Sequence, residues 1–350
     1  MVKSALSRHE RLASIGNLLV NTTPFFEATS KLSDTYQNWG TRQEGTCAFI
    51  VGEPGAGKTT VADEFLHETA AGLGTEYIAE ASANSSGRWG LIKETETGFI
   101  RPVLKVFVGP RIMFRGLFFD LLLALGVRAN RNANFAELMS LVMRHLKAQQ
   151  VKLIIFDETH HIIDRHTRTT AYEAADLLKM LLIQAKVQIV CLGLPHSLEI
   201  LAANQQLDRR CTAKYEIPPF SDDVDNSDGE YMRFCQALES ALPFDKPSGL
   251  DQPGLALRLN SAGSGYIGRI THIAQTATEL AVNRNLSYLT VQVLGEAYKN
   301  ISMINDDVNP FLVKEFRPEQ FSLHRTRHEA QKARPVQGRG RKAPVADFTK

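Results

Sequence analysis

A lysine and a threonine placed directly behind a glycine-rich run are equipped to handle phosphate. Gly52-Glu53-Pro54-Gly55-Ala56-Gly57-Lys58-Thr59 fits the pattern GxxxxGK[ST] at every fixed position. The glycines let the backbone curl so that its N–H groups and a helix N-terminus surround phosphates. Lys58 would offset charge on the β- and γ-phosphates, and Thr59 would ligate Mg²⁺, with Thr60 beside them in the binding set. About a hundred residues downstream, Leu153-Ile154-Ile155-Phe156-Asp157-Glu158 ends an apolar run in two acids. Asp157 suits the magnesium shell, and Glu158 suits a general base that polarises the attacking water. The two motifs together predict a site for ATP and Mg²⁺ and an ATPase reaction giving ADP and phosphate.

Two other patterns compete for attention. His160 and His161 follow the acidic pair, but the spacing is not HExxH and no matching Cys lies nearby in sequence, so a metal centre is not expected. Gly263, Gly265 and Gly268 satisfy GxGxxG without a preceding strand, so a helix entry is the better reading than a dinucleotide fold.

These side chains need a scaffold, and the hydrophobic pattern supplies one. Short apolar runs at 46–51, 103–108, 153–156 and 187–192 alternate with helical patterns near 58–70, 112–125, 134–149 and 170–185. That order predicts an α/β fold with a parallel, doubly wound sheet over residues 41–220. Residues 1–40 read as a helical N-terminal lead-in. An acidic, turn-rich connection at 221–230 precedes helical patterns at 231–241, 251–261, 267–283 and 288–303, which predict a small all-helical C-terminal lid over 231–308. Residues 309–350 read as a flexible basic tail: between Lys314 and Lys342, nine Lys or Arg stand against three Glu, among prolines and glycines. Such a tail could be merely solvated, or it could dock a partner or grip DNA.

Composition narrows the class. The chain has 350 residues, of which 43% are hydrophobic and 22% charged, as expected of an ordinary globular protein. A net charge of +2 means that any DNA contact must come from local basic patches. Four scattered cysteines without a CxxC pair fit a reducing, cytoplasmic setting. The longest apolar stretch, Leu117 to Leu125, is interrupted by Asp120 and too short to span a bilayer.

The motif spacing resembles the AAA+ transposition regulators TnsC and TniB, more distant relatives of MuB, over roughly residues 45–300. Besides the nucleotide motifs, the resemblance rests on Pro102-Val103-Leu104, Arg115-Gly116-Leu117-Phe118, Ile189-Val190-Cys191-Leu192-Gly193, Leu207-Asp208-Arg209-Arg210 and Gly265-Tyr266-Ile267-Gly268-Arg269. It implies an AAA+ P-loop NTPase that oligomerises, as a hexameric ring or helical filament, on double-stranded DNA and links a target-selection protein to a transposase. It implies a sensor 2 role for Arg269 on phosphate, and a finger role for Arg209, or else Arg210, in a neighbouring subunit's site. Arg111 and Arg115 match the segment that lines the central DNA channel, with Lys105 a further candidate. The family often places a polar sensor 1 residue after the strand 188–192, where this chain has Leu194; His196 or Ser197 could substitute, and slow hydrolysis is expected. The alternatives are another nucleotide-gated AAA+ adaptor, such as a replication-type loader, or an ATP-binding scaffold with little turnover.

Overall fold

A computed structural model describes residues 7–318, apart from Asn17, Leu19, 81–88, 110–113, 164–170 and Ile304, together with Phe321. The strands with unbroken apolar sequence lie at its centre. Strands β1 (Cys47–Val51), β5 (Leu153–Asp157) and β6 (Gln188–Gly193) are buried at every residue, as strands covered on both faces must be. Strand β4 (Gly98–Phe107) flanks β5, and β7 (Cys211–Glu216) flanks β1 with alternating burial. From β4 to β7 all pairs are parallel.

The full order is β2-β3-β4-β5-β6-β1-β7, so the sheet is not wholly parallel. Strands β2 (Ile78–Glu80) and β3 (Trp89–Thr95) add an antiparallel ribbon to the β4 edge, with Thr95 opposite Gly98 across a two-residue turn. Nothing in the apolar pattern announces it, because Trp-Gly-Leu-Ile-Lys-Glu-Thr carries a glycine and three polar residues.

Alternation along the strands sends side chains to two faces. Phe49, Phe156, Ile189 and Cys191 pack under helices α4 (Phe114–Ala124), α5 (Phe135–Ala148) and α6 (Ala171–Met180). Ile50, Ile155, Val190 and Leu192 pack under α2 (Thr23–Gln37) and α3 (Lys58–Leu73). Two single-turn helices, α7 (Glu199–Ala202) and α8 (Gln205–Asp208), lead from β6 to β7. A separate apolar cluster gathers α9 (Glu230–Ala241), α10 (Pro253–Gly263), α11 (Ile267–Asn283) and α12 (Val291–Ser302). The first helix, α1 (Arg8–Gly16), belongs to this cluster through Ile15, whose full burial contributes about 2 kcal/mol to holding the N-terminal segment there. No helix among the described residues is long and apolar enough to cross a membrane.

Candidate functional site

The loop between β1 and α3 turns on two glycines in the left-handed region, Gly55 (φ 87°) and Gly57 (φ 91°), which L side chains rarely adopt. Lys58, at the first turn of α3, is buried, and its Nζ donates to the carbonyls of Gly52 at 2.7 Å and Glu53 at 3.1 Å. Burial lowers its pKa, an effect opposed by the charges of Glu158, Asp157 and Glu53 and reinforced by Arg269. The next residue joins the two motifs: Thr59 Oγ1 donates to Asp157 Oδ2 at 3.1 Å. Asp157 is 3% exposed at the end of β5. A buried carboxylate and a hydroxyl beside a lysine are hard oxygen donors of the kind that could hold Mg²⁺ against phosphate.

Glu158 follows in a left-handed conformation (φ 58°) and is half-buried. Burial and the neighbouring Asp157 raise its pKa, while Lys58 and His161 lower it. The chain then folds back as a 3₁₀ turn, Thr159–Ile162, and His160 Nδ1 comes within 3.2 Å of Glu158 Oε2. Glu158, His160 and His161 thus bring one carboxylate and two imidazoles to within 4.8 Å of one another, a convergence that linear spacing did not reveal.

Lys105 corrects an expectation. It is 2% exposed on β4, with Nζ 2.7 Å from Asp63 and 3.6 Å from Asp157, so it faces these two carboxylates and not a DNA channel. A lysine reads as basic surface in sequence, but here the carboxylate of α3, one turn beyond Thr59, balances it inside the sheet. Arg115 is exposed in the first turn of α4, bonded to the carbonyl of Arg131 and lying 5.7 Å over the Phe119 ring. Arg111 and most of the tail 309–350 lie outside the described residues, but the expected flexible tail begins later than 309, because Asn309 is buried with its Nδ2 donating to Gly295 O and Phe311 is buried in the lid cluster.

The two candidate finger residues differ sharply. Arg210 is tied to its own chain, with Nε 2.8 Å from Glu44 Oε2 and a second nitrogen 2.8 Å from the Gln206 carbonyl. Arg209 is exposed and has no side-chain partner among the described residues. Both precede β7 beside the start of β1, where Cys47 N donates to Arg210 O, while the phosphate loop leaves the far end of β1. Five residues of strand separate the two ends, about 16 Å.

Arg269, in the first turn of α11, lies against the phosphate loop. Its Nε donates to Pro54 O at 2.8 Å, its guanidinium sits 4.9 Å over the Tyr266 ring, and Gly268 N donates to Gly55 O at 2.8 Å. The two glycines permit this approach: a Cβ at Gly268 would lie 2.9 Å from Gly55 O, and one at Gly55 would lie 2.8 Å from Arg269 Cγ. After β6, Leu194 is half-buried, Ser197 is fully buried and His196 is exposed with its ring 5.5 Å from that of His160.

Beside Ala56, Gly57 and Thr60 opens a cavity of about 240 Å³ that sequence reasoning missed. Ile15 and Val20 from the N-terminal segment, Ile217 after β7, and Tyr266 and Ile267 at the start of α11 line it. Such an apolar recess next to a phosphate loop could take the flat base of a nucleotide. Its residues are scattered over some 250 positions, and no local pattern links them.

A family model described as "Bacterial TniB protein" matches residues 18–221, more than half of the chain. Among solved structures the chain resembles the ORC2 protein of Aeropyrum pernix in ADPNP–ADP complexes (TM-score 0.58, 13% identity, covering 84% of this chain and 72% of that one). It also resembles the ORC1 protein of Aeropyrum pernix in complex with DNA (TM-score 0.56, 17% identity, 85% and 70%) and Cdc6p of Pyrobaculum aerophilum (TM-score 0.58, 11% identity, 85% and 73%). At these identities the likeness speaks for the fold, an α/β P-loop NTPase of the AAA+ type. No curated protein matches the chain in sequence.

Proposed function

Because the chain belongs to the bacterial TniB family, we propose that it is an AAA+ ATPase regulating DNA transposition, which assembles on target DNA and links a target-selection protein to a transposase. The observation that carries the ATPase reading is the Thr59–Asp157 hydrogen bond of 3.1 Å beside the buried Lys58, which places both nucleotide motifs at one point. In this reading Thr59 and Asp157 would hold Mg²⁺, residues 52–60 would hold the triphosphate and the cavity would take the adenine. Glu158 accepts a proton from water as the water oxygen bonds to the γ-phosphorus; the β–γ bridging oxygen leaves with ADP, its charge offset by Lys58, and Mg²⁺ when bound would supply further positive charge to the phosphates. Arg269 contacts phosphate from the lid and reports nucleotide state to it.

Arg209 completes the site in trans. About 16 Å of strand separates it from its own phosphate loop, so only another subunit's nucleotide is within its range, and turnover then depends on assembly. Residues 41–220 act as the ATPase unit and 231–308 as the lid, with 1–40 leading in and the tail 309–350 serving the transposase. Arg115 and Arg111 track DNA phosphates, which gives affinity without base readout. The likeness to the ORC1 protein of Aeropyrum pernix in complex with DNA supports a DNA-directed role for this chain.

Electron microscopy of the chain with and without ATP and duplex DNA tests the reading. Rings or filaments that form on DNA with ATP, and that persist longer in Glu158→Gln, are the expected result. A monomer indifferent to DNA and nucleotide would sink it.

A further inference from the structure

The general base of the proposed reaction does not stand alone. Its left-handed backbone turns the chain sharply, and Thr159, fully buried with its hydroxyl donating to Phe156 O at 2.9 Å, pins that turn against the end of β5. The reversal is what brings His160 Nδ1 to 3.2 Å from Glu158 Oε2. The 3.2 Å approach is not aligned as a hydrogen bond, but a rotation of the carboxylate would let an imidazole carrying a proton on Nδ1 donate to one oxygen and leave the other for water. His160 is steadied in turn: the His161 ring lies 4.1 Å from one side of it, and the His196 ring meets it edge-on at 5.5 Å and 77°.

His196 comes from a different part of the chain, the 3₁₀ turn Pro195–Leu198 that follows β6. The two turns nest because β6 ends in glycine. A Cβ at Gly193 would lie 3.2 Å from the His160 backbone nitrogen and 2.4 Å from Ser197 Oγ, so any side chain there would force the turns apart. Ser197 is fully buried under this junction with its hydroxyl against Gly193 of β6, whereas His196 sets its ring edge-on against that of His160. The Leu194 side chain offers no polar atom.

We infer that His160 is a positioning residue for Glu158, and that His196 braces it from the segment after β6, so that a pair of imidazoles does the work a polar residue at position 194 would do. The inference rests on the reading of Glu158 as general base. It makes carboxylate orientation depend on how the two turns nest, so the β6 turn and the catalytic turn respond to bound phosphate together.

Steady-state ATP turnover of the full chain with Mg²⁺ and duplex DNA tests it. His160→Ala should lower kcat about tenfold, a fraction of what a general base supplies, with KM for ATP within about twofold of the parent. His160→Gln, which keeps a donor toward the carboxylate, should recover most of the loss. His196→Ala should cost about threefold, and the double variant should be no worse than His160→Ala, because residues acting through one contact are not additive. A merely structural role predicts instead a raised KM, a lower unfolding midpoint and no rescue by glutamine, and that result overturns the inference. Glu158→Gln measured alongside separates the two possible failures. If it loses turnover while His160→Ala keeps it, the positioning role alone is wrong. If Glu158→Gln turns over at the parent rate, the general-base reading falls and takes this inference with it.

Discussion

The phosphate end and the base end of the proposed site are built in opposite ways. At the phosphate end, Thr59, Asp157, Lys105 and Asp63 form one polar network beside Lys58, which bonds to the Gly52 and Glu53 carbonyls, and three of these five residues are buried. At the base end, Ile15, Val20, Ile217 and Tyr266 make an apolar recess where the N-terminal segment, the end of β7 and α11 meet. The first is fixed by charge and hydrogen bonds within the sheet, the second by packing between parts far apart in the chain. Charged and hydrogen-bonding groups therefore dominate one end, and apolar packing against the start of α11 the other.

Lys58→Ala probes the difference most severely. It removes a buried ammonium whose place water cannot fill, so ATP affinity should fall roughly a thousandfold, about 4 kcal/mol. Adenosine, which has no phosphate, should bind the variant as it binds the parent. Calorimetric titration of both ligands is the check, and equal losses for the two would merge the ends into one.

Lys105→Met addresses how the phosphate end holds itself together. It leaves the buried Asp157 and the partly exposed Asp63 facing each other without their shared cation, and breaking such a network costs about 3 kcal/mol of stability. Urea unfolding should show that drop, and the double variant Lys105→Met, Asp63→Asn should regain part of it. A wild-type midpoint in Lys105→Met would mean that the pairing contributes nothing.

The same contrast explains what the sequence could reveal. The phosphate end rests on residues adjacent in the chain, Gly52 to Thr59 and Asp157-Glu158, and each strand beneath them is an unbroken apolar run; local pattern suffices for both. Lys105 was misread because burial beside carboxylates leaves no trace in the residue itself. His160 was set aside because its importance lies in a backbone reversal at Glu158, a conformation that residue type does not announce. The antiparallel ribbon β2–β3 escapes because Gly90 and the polar Lys93, Glu94 and Thr95 break its apolar run, and the cavity because four separate segments build it. Arg209 was distinguished from Arg210 only by the position of Glu44, 166 residues away in sequence from Arg210.

The smallest expected effect belongs to the base end, where Ile217 follows β7 and its backbone N–H donates to Val51 O at 2.8 Å, fixing it beside the start of the phosphate loop. Its side chain is 5% exposed and packs beneath Gly52, where a Cβ would lie 3.5 Å from Ile217 Cβ. Ile217→Ala removes three carbons, of which only those facing the cavity bear on a bound base. At about 0.8 kcal/mol per buried methylene, a loss of about 1 kcal/mol follows, or roughly fivefold in affinity. The loss should be the same for ATP, ADP and adenosine, because the contact is with the base and not the phosphates. Ile217→Val, which removes one carbon, should show about a third of the effect and guards against a change caused by unfolding. If adenosine binding is unaltered in both variants while the protein stays folded, the base does not occupy this cavity, and the division of the site into two ends must be redrawn around the phosphate loop alone.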